Sequence, residues 1–468
     1  VFRVGVDVGG TFTDLVALSD EGLLINIKVS TTPRTPEVGV INAFKKFLAD
    51  HRAEEVRIVT HATTIATNAI FGQLELELPK TALITTKGFR DVLEIGRQRR
   101  PELYNLFFQR PKPLIPRRYR YEIRERVGAD GRELVPVSRE DLERVVGEIR
   151  REGVRSVAVG LINSYANPKH EEEVKRFVEN SCPGVFVVSS SEVSPEYREY
   201  ERISTTAVNA VLMPIVSTYI QGLLTQLKTL GISAPLYVMQ SNGGLARAWE
   251  AAQRPAAILE SGPAAGVVAS AFYSRILNEP YVMSFDMGGT TAKAGAVREG
   301  TPELVNEYEV GGRVHRGRIV KGSGYTVRLP FIDLAECSAG GGTIAWVDEA
   351  GALRVGPVSA GAHPGPACYG MGGTQPTITD ANLVLGRLPP HLLGGEMRLH
   401  PNLAKEAIRS GVCEPLGLEL EEAAMGIITI ANSMMAKILR IVSIERGYDP
   451  RRFSLIAFGG AGPMHVCA

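Results

Sequence analysis

A short stretch near the start of the chain occurs a second time in its middle, and this duplication limits the possible folds more than any other feature. The first copy is Val4–Asp14, VGVDVGGTFTD, and the second is Met283–Lys293, MSFDMGGTTAK. Each reads as an apolar strand that ends in aspartate, then a Gly-Gly turn, then a second strand. Paired glycines let backbone N–H groups approach a ligand closely, which is how proteins cradle phosphate. One such hairpin is common, but two matching copies indicate two phosphate-binding turns.

The residues of the two copies divide by their chemistry. A carboxylate at a strand end can hold a divalent cation or its waters, so Asp7 and Asp286 are predicted to be catalytic and to bind Mg²⁺. The glycines and hydroxyls of the turns are the predicted contacts of the ATP phosphates: Gly9, Gly10, Thr11, Thr13, Gly288, Gly289, Thr290 and Thr291.

Asp14 and Lys293 occupy matching positions in the two copies but carry opposite charges. Because phosphoryl transfer is directional, we expect Asp14 on the acceptor or metal side. We expect Lys293 to offset negative charge around the cleft, as part of the ATP site. The alternative is that both side chains face solvent or form separate salt bridges.

A third glycine motif lies near the end of the chain. Residues 453–458 read as a buried strand that runs into Gly459-Gly460-Ala461-Gly462-Pro463. Gly459, Gly460 and Gly462 are predicted to form a backbone surface for adenosine. Two phosphate hairpins followed by such a motif are the pattern of the actin-like, sugar-kinase-like and Hsp70-like ATPases, an α/β fold in which two duplicated halves enclose ATP. We expect this fold, with domains 1–200 and 201–468.

Composition excludes several classes of function. The 468 residues include 52 basic and 51 acidic side chains, for a net charge of +1, so no global field favours nucleic acid or an anionic membrane. Five scattered cysteines suit a reducing compartment. The sequence shows no signal peptide and no apolar run near the roughly twenty residues of a membrane span. We therefore expect a cytoplasmic protein that binds neither nucleic acid nor a membrane.

A polar cluster follows the short strand that is predicted at 56–59. His61, Thr63, Thr64 and Asn68 crowd a junction between a strand and a helix. Helix N-termini attract carboxylates and phosphates, so these residues are candidate substrate contacts. A hydroxyl-rich helix cap with a core histidine is an equally good interpretation.

Other segments complete the predicted organisation. Residues 97–120 form a basic, aromatic arm that favours contact with a protein partner or a role as a lid. Residues 142–188 alternate helices and strands, which indicates a doubly wound module. Residues 196–230 form a long helix that is expected to break around Pro214, and residues 339–370 form a long ordered loop rich in glycine and proline.

Three side chains in the second half have uncertain chemistry. Cys368 has no nearby positive charge and is predicted to be buried rather than nucleophilic. His363 lies in the same loop and could reach a metal or substrate, although a structural place is more common for such a residue. Whether a metal other than Mg²⁺ binds near His363 or Asp333 stays open.

Taken together, these motifs resemble the hydantoinase A / oxoprolinase family. The resemblance covers essentially the whole chain in order, and its motifs are 5–14, 61–68, 261–266, 340–348, 359–370, 376–386 and 457–463. It implies an actin-like ATPase that uses ATP to activate a carbonyl, by hydrolysis of a hydantoin, oxoproline or other lactam or by carboxylation of a ketone. It also implies a hetero-oligomer with a B-type subunit, and a chain that is incomplete at its C-terminus.

Two rival classes of function remain at this point. An actin-like or Hsp70-like ATPase would use nucleotide to change conformation without transforming a small molecule. A plain metabolite kinase would phosphorylate an alcohol. Neither class accounts for the loop at 339–370, and dependence of ATP turnover on a lactam, hydantoin or ketone would separate them from a carbonyl-activating enzyme.

Overall fold

The first copy of the repeat belongs to the first sheet of the protein. The computed structural model describes residues 1–9, 12–32, 35–70, 77–312, 314–315, 318–319 and 321–468. The chain begins with the following elements: β1 (Phe2–Val8), β2 (Phe12–Ser19), β3 (Leu24–Ser30), α1 (Pro36–Phe47), β4 (Val56–Thr63) and α2 (Ile65–Ile70). Burial alternates along β1 and β2, so one face of the hairpin packs in the core while the other carries polar side chains.

A parallel α/β module follows. Its elements are β5 (Thr81–Thr86), α3 (Val92–Ile95), β6 (Arg120–Ile123), β7 (Arg126–Val127), β8 (Glu133–Val135), α4 (Arg139–Glu152), β9 (Ser156–Gly160), α5 (Lys169–Ser181), β10 (Phe186–Ser189) and α6 (Ser190–Val193). The strand order β10-β9-β5-β6 is parallel throughout. Strands β5 and β9 are buried along their whole length, as expected for a sheet covered on both faces. The predicted alternation of helices and strands is confirmed.

A long helix, α7 (Glu199–Thr229), joins this module to the first sheet. Val208 packs in the core of the first sheet, and Ile203 packs in the core of the parallel module. Pro214 lies inside the helix without ending it, so the expected break is wrong. Proline removes one helical hydrogen bond, and the burial of this helix between two cores offsets that loss.

After α7 the chain returns to the first sheet and adds its last two strands. The next elements are β11 (Leu236–Met239), β12 (Leu245–Arg247), α8 (Ala248–Gln253) and α9 (Ser261–Leu277). The complete six-stranded order is β12-β11-β4-β1-β2-β3. Helix α9 is anchored to this sheet because the Ser261 hydroxyl donates to the carbonyl of Thr63 at 2.8 Å, and α9 also packs on the second copy of the repeat.

The second copy lies in a smaller sheet. The elements that begin this half are β13 (Tyr281–Met287), β14 (Ala292–Arg298), β15 (Thr301–Pro302), β16 (Leu304–Val305), β17 (Tyr308–Val310), β18 (Val314–His315), β19 (Arg318–Ile319), β20 (Tyr325–Val327), β21 (Phe331–Ile332), β22 (Leu334–Cys337), β23 (Thr343–Val347) and β24 (Leu353–Ser359). The remaining elements are α10 (Ile378–Val384), β25 (His391–Leu392), β26 (Met397–Arg398), α11 (Pro401–Ile408), α12 (Glu414–Leu416), α13 (Leu420–Val442), β27 (Ser454–Phe458) and α14 (Gly462–His465). The sheet order is β15-β14-β13-β27, and β22 also pairs with β14.

The two copies therefore share a backbone design. In each, an antiparallel hairpin places an aspartate near the end of its first strand, directly before the turn. Strand β27 runs parallel to β13 and carries the third glycine motif to the same edge of the sheet. The expected loop at 339–370 is not wholly irregular, because β23 and β24 form a hairpin within it.

The hydrophobic cores do not follow the expected division of the chain between residues 200 and 201. One core joins the first sheet with residues around 208–259, a second fills the parallel module, and a third holds the second copy with α13. The expected boundary between residues 200 and 201 falls inside α7. That helix packs on two cores, so the division into 1–200 and 201–468 stays a prediction.

Within the part of the chain that the structure describes, two helical segments are long and apolar enough to cross a membrane by length and composition: Glu199–Thr229, which is α7, and Leu420–Arg446, which is α13 with the turn after it. This finding corrects the expectation that no apolar run of that length exists. The apolar windows of these helices are 61% and 44% buried inside the fold. Core helices commonly pass the same test, so the finding is weak support for a membrane span.

Candidate active site

The two repeated hairpins line one cleft with a volume of about 760 Å³. The first sheet contributes Asp7, Gly9, Phe12, Asp14, Asn26, Ile27, Lys28 and Thr64 to its wall. The second half contributes Asp286, Gly288, Gly289, Thr290, Thr291, Lys293, Gly341, Gly342, Gly459 and Gly460. The N-terminal turn of α9, at Gly262 and Pro263, lies between the two walls. Eleven of the predicted site residues thus reach one cavity: Asp7, Gly9, Thr64, Asp286, Gly288, Gly289, Thr290, Thr291, Lys293, Gly459 and Gly460.

The two halves line the cleft with different side chains. The second half contributes the largely apolar side chains of Pro366, Tyr369, Leu388, Leu392, Leu393 and Met464. The wall from the first sheet instead carries the carboxylates Asp7 and Asp14 and the ammonium of Lys28. A ligand with a flat apolar part and a charged part fits this arrangement.

Asp7 is the most perturbed acid of the cleft. Its carboxylate opens into the cleft but has protein on most sides, and this burial raises its pKa to about 7. The nearby carboxylates of Asp286 and Asp14 add to the rise, and Lys28 opposes it. The pairing of β1 with β2 places Asp14 directly opposite Asp7, so the repulsion follows from strand register.

Asp286 occupies the matching place in the second hairpin. Burial raises its pKa, and Lys293 opposes this effect. Gly459, with φ of +82°, packs against this carboxylate, and a Cβ atom there would lie 2.4 Å from Oδ1 of Asp286. Only glycine fits at this position, which explains the glycine of the third motif in physical terms.

Lys293 is held by carboxylates on two sides. Its ammonium forms ion pairs with Glu260 and, at 3.7 Å, with Glu336. Burial alone would lower the pKa of Lys293, but the two glutamates raise it above its ordinary value. Glu336 lies directly opposite Lys293 in the pairing of β22 with β14, and Glu260 precedes the first turn of α9.

The N-terminus of α9 points at the first aspartate. A Cβ atom on Gly262 would lie 3.3 Å from Oδ1 of Asp7, so only a small residue leaves room there. Helix N-termini present free N–H groups and a partial positive charge. This end of α9 therefore suits an anion bound beside Asp7.

The two Gly-Gly turns are braced by different groups. In the first, the Thr31 hydroxyl donates to the carbonyl of Gly9 at 2.9 Å. In the second, the backbone N–H groups of Gly341 and Gly342 donate to the carbonyls of Gly288 and Gly289 at 2.9 and 2.7 Å. A side chain therefore fixes the first turn, whereas the backbone of residues 341–342 fixes the second.

Some predicted site residues do not reach the cleft. His61 is enclosed, with its ring nitrogens 3.1 Å from the carbonyl of Val6 and 2.8 Å from the hydroxyl of Tyr219, and burial lowers its pKa to about 4. Thr63 is also buried, and its hydroxyl accepts from the backbone N–H of Ile65 at the start of α2, at 3.2 Å. The expectation of substrate contacts from these two side chains is corrected, because His61 packs against α7 and Thr63 bonds to the start of α2.

Three further predictions change in detail. Asn68 bonds to the Thr64 hydroxyl at 3.0 Å, so Thr64 alone of that cluster lines the cleft. Thr13 is fully buried beside Gly39 of α1 and faces away from the cleft because strand side chains alternate. Gly462 is buried at the start of α14 and does not line the cavity. Gly10 and Thr11 lie outside the described residues.

The structure places the three side chains of the second half whose chemistry the sequence left open. Cys368 is fully buried, and burial raises the pKa of its thiol, which agrees with the predicted inert role. His363 is exposed, and Asp333 forms an ion pair with Arg446. Within the described ranges, no group of three or more His, Cys, Asp or Glu side chains is arranged to hold a metal ion.

Sequence reasoning missed Lys28, Glu260, Glu336 and Thr31. A usable signal existed for Lys28 and Thr31, because the short turn between β2 and β3 sets their register, which places Lys28 opposite Asp14 and Ser30 opposite Phe12. Glu260 and Glu336 come from segments distant from the residues they contact, and only the tertiary structure brings them to the second hairpin.

The paired hairpins, the helix α9 and the third glycine motif line one cleft of an α/β protein. The chain belongs to the hydantoinase/oxoprolinase family. The model of the hydantoinase/oxoprolinase N-terminal region matches residues 3–182, and the hydantoinase/oxoprolinase model matches residues 202–468.

Three relatives illustrate the range of this similarity. Uncharacterized protein MJ0964 of Methanocaldococcus jannaschii is 55% identical over 99% of this chain and 68% of its own length. Caprolactamase subunit alpha of Pseudomonas jessenii is 38% identical over 99% of this chain and 66% of its own. A nucleotide-free structure of acetone carboxylase superposes with a TM-score of 0.83 at 26% identity, over 99% of this chain and 66% of that chain. The chain thus spans about two thirds of the length of these relatives.

Proposed function

We propose that this chain is the ATP-binding part of an ATP-dependent cyclic amide hydrolase with an actin-like fold. The observation that carries the proposal is the convergence of both Asp-x-Gly-Gly hairpins and the third glycine motif on one cleft. The relative named caprolactamase supports a lactam as the substrate class. Cyclic amides are poor electrophiles, so the energy of ATP has a clear use in such a reaction.

The residues of the cleft fit ATP and Mg²⁺. Mg²⁺ in proteins is held by one or two carboxylates together with phosphate oxygens and water, and Asp7 and Asp286 supply two carboxylates from opposite walls. The turns at Gly9 and at Gly288 and Gly289 offer backbone N–H groups to phosphates. ATP would supply the phosphoryl group that converts a carbonyl oxygen into a leaving group.

The chain's own residues orient the two reactants. The apolar side chains from the second half and the turn at Gly459 and Gly460 suit an adenine ring and its ribose. The phosphates then extend toward the first sheet, where Asp7 and the N-terminus of α9 lie. Thr64, Phe12 and Ile27 line the wall beside these groups, and they would hold a small acceptor with an apolar body and a polar carbonyl.

A ketone carboxylase is the second candidate function, because acetone carboxylase shares the fold. Both reactions begin with activation of a carbonyl oxygen, so the same cleft serves either. We also propose a B-type partner subunit, supported by the subunit name of the caprolactamase relative. The five free cysteines support a reducing, cytoplasmic location.

The test is a screen of ADP release by the purified chain, with and without its co-purified partner. The panel contains a hydantoin, 5-oxoproline, caprolactam, acetone with bicarbonate, and glycerol as a simple alcohol. We expect ADP release to rise with at least one cyclic amide, and ring opening to require the partner. Stimulation by an alcohol alone would indicate a kinase, and turnover indifferent to every compound would indicate a plain ATPase.

Two substitutions connect this activity to the cleft. Asp7→Asn and Asp286→Asn keep the shape of the side chain but remove the charge that Mg²⁺ would use. We expect kcat to fall by at least about 100-fold, or about 2.7 kcal/mol, with a modest loss of nucleotide affinity. Asp20→Asn, in an exposed ion pair with Arg3, is the matched control. Wild-type rates in both cleft variants would remove these aspartates from the mechanism.

A further inference from the structure

Among the described residues, three lysines line the cleft: Lys28, Lys46 and Lys293. A phosphate chain with a divalent cation still carries net negative charge, so a lysine that can turn toward it has a clear use. The three differ in how firmly carboxylates hold them. That difference decides which lysine is available to a nucleotide.

Lys293 is the least available. Its side chain is 13% exposed and sits between the carboxylates of Glu260 and Glu336. Moving the ammonium toward a ligand would leave two glutamates unpaired in a largely buried site, and stranding a buried charge is costly. Lys293 therefore serves to neutralise its own surroundings.

Lys46 is held at the edge of the cleft. Its ammonium bonds to both oxygens of Glu396, at 2.7 and 3.0 Å. Lys46 lies on α1 in the first half, and Glu396 lies beside β26 in the second half. Both side chains are largely exposed, so this pair bridges the two walls at the solvent.

Lys28 is held by a single carboxylate. It forms an ion pair with Asp14, and both side chains are partly exposed, at 41% and 43%. Its ammonium lies 5.3 Å from the centroid of the Phe12 ring, an attractive contact that keeps it over the cleft wall. An exposed ion pair of this kind contributes little free energy, so Lys28 can exchange Asp14 for a ligand at low cost.

Strand register places Lys28 in line with the first aspartate. Asp7, Asp14 and Lys28 lie directly opposite one another across β1, β2 and β3. Opposed residues on neighbouring strands share one face of the sheet. The three side chains therefore form a row on the wall toward which the phosphates extend.

We propose that Lys28, rather than Lys293, binds the terminal phosphate of ATP, and that Asp14 is the counter-ion that holds Lys28 on the cleft wall. The inference rests on the proposed ATP site and adds the residue that distinguishes ATP from ADP. Lys28 contributes positive charge from the first sheet, across the cleft from the turn at Gly288 and Gly289.

The test compares two nucleotides without any acceptor. Calorimetry measures the affinity of the purified chain for Mg²⁺ with the non-hydrolysable analogue AMP-PNP, and separately with ADP. We expect Lys28→Met to weaken AMP-PNP binding by about tenfold, the loss of one charge-assisted contact, and to weaken ADP binding far less. Lys28→Arg should retain most of the preference for AMP-PNP.

Two further variants test whether Lys28 acts by contacting the nucleotide or by stabilising the sheet. Asp14→Asn releases Lys28 from its partner and should leave AMP-PNP affinity unchanged or tighter. Lys175→Met, which breaks a partly exposed pair with Glu192 in the parallel module, is the control for the loss of a paired lysine outside the cleft. Equal losses for both nucleotides in Lys28→Met, or an Asp14→Asn loss as large as that of Lys28→Met, would overturn the proposal.

The outcomes also distinguish this inference from the proposed function. If the wild-type chain binds neither nucleotide, the proposed ATP site is wrong and Lys28 has no role in it. If the wild-type chain binds both nucleotides and Lys28→Met binds AMP-PNP as tightly as wild type, only the assignment of Lys28 is refuted.

Discussion

The two copies of the repeat differ less in backbone than in the charges they carry. Each copy forms a hairpin whose register places three charged residues in a row across neighbouring strands. The first row is Asp7, Asp14 and Lys28, and the second row is Asp286, Lys293 and Glu336. Lys28 stands at the end of the first row, whereas Lys293 stands in the middle of the second row.

This difference follows the surroundings of each row. The second row is covered by α9, with Glu260 as an extra partner for Lys293, and its turn is bound by the backbone of 341–342. The first row lies on β1 to β3 with its lysine partly exposed. The duplication thus keeps the Asp-x-Gly-Gly hairpin twice, while the lysine of the second copy is enclosed by carboxylates and the lysine of the first is partly exposed.

The largest effect that we expect is on the free energy of unfolding, when the lysine of each row is replaced by methionine. We expect Lys293→Met to destabilise the fold by about 3–5 kcal/mol, because it leaves Glu260 and Glu336 unpaired in a largely buried site. Lys28→Met should cost less than about 1 kcal/mol, because its ion pair is exposed. Urea unfolding at constant pH measures both values.

A compensating variant identifies the cause. Combining Lys293→Met with Glu260→Gln and Glu336→Gln removes the unpaired charges and should recover much of the lost free energy of unfolding. No recovery would mean that Lys293 acts through packing of its aliphatic chain. Similar losses for the two single lysine variants would refute the contrast between a braced copy and an open one.

The hairpins were predictable from sequence because their signals are local. An apolar strand, an aspartate and a Gly-Gly turn lie next to one another in the chain, and register within a hairpin follows from the turn. The apolar strand before Gly459 was likewise a local signal. The buried state of Cys368 followed from the absence of nearby positive charge.

The partners of the hairpins were not predictable in this way. Glu260 and Glu336 reach the second copy only through tertiary packing, and no local pattern marks them. His61 shows the converse, because a polar cluster at a helix start gives the same pattern whether it binds substrate or packs against Tyr219. Pro214 was misjudged because burial of α7 between two cores outweighs the local preference of proline.

We expect smaller losses of stability and nucleotide affinity when the hydrogen bond that fixes the first turn is removed. The Thr31 hydroxyl donates to the carbonyl of Gly9, so its oxygen accepts from Thr13, 3.0 Å away. Thr31→Val removes the donor to Gly9 and should cost about 1 kcal/mol of stability. We also expect weaker Mg²⁺–ADP binding, because the turn that would hold the phosphates is less fixed, whereas Thr31→Ser should behave like wild type.

The second turn supplies the comparison for this variant. The Thr379 hydroxyl and its backbone N–H both donate to the carbonyl of Gly341, each at 2.8 Å. Thr379→Val therefore leaves that carbonyl with one donor and should change nucleotide affinity less than Thr31→Val. A larger loss in Thr379→Val would show that the braced turn depends on side chains as much as the first.

The smallest expected effect is a difference in pH dependence between the two aspartates. The pKa of Asp7 is raised from its ordinary 3.8 to about 7, so between these values the folded chain keeps a proton that the unfolded chain has released. Stability should therefore fall as pH rises through this window, and Asp7→Asn should lack that fall. Because the carboxylate opens to water in the cleft, we expect the difference to stay below about 1 kcal/mol.

Asp286→Asn should show the same sign with a smaller size, since Lys293 offsets the raised pKa of Asp286. Urea unfolding across the window, without divalent cations, measures both, and an equal or larger effect in Asp286→Asn would mean that the lysine in the middle of the second row gives Asp286 no protection.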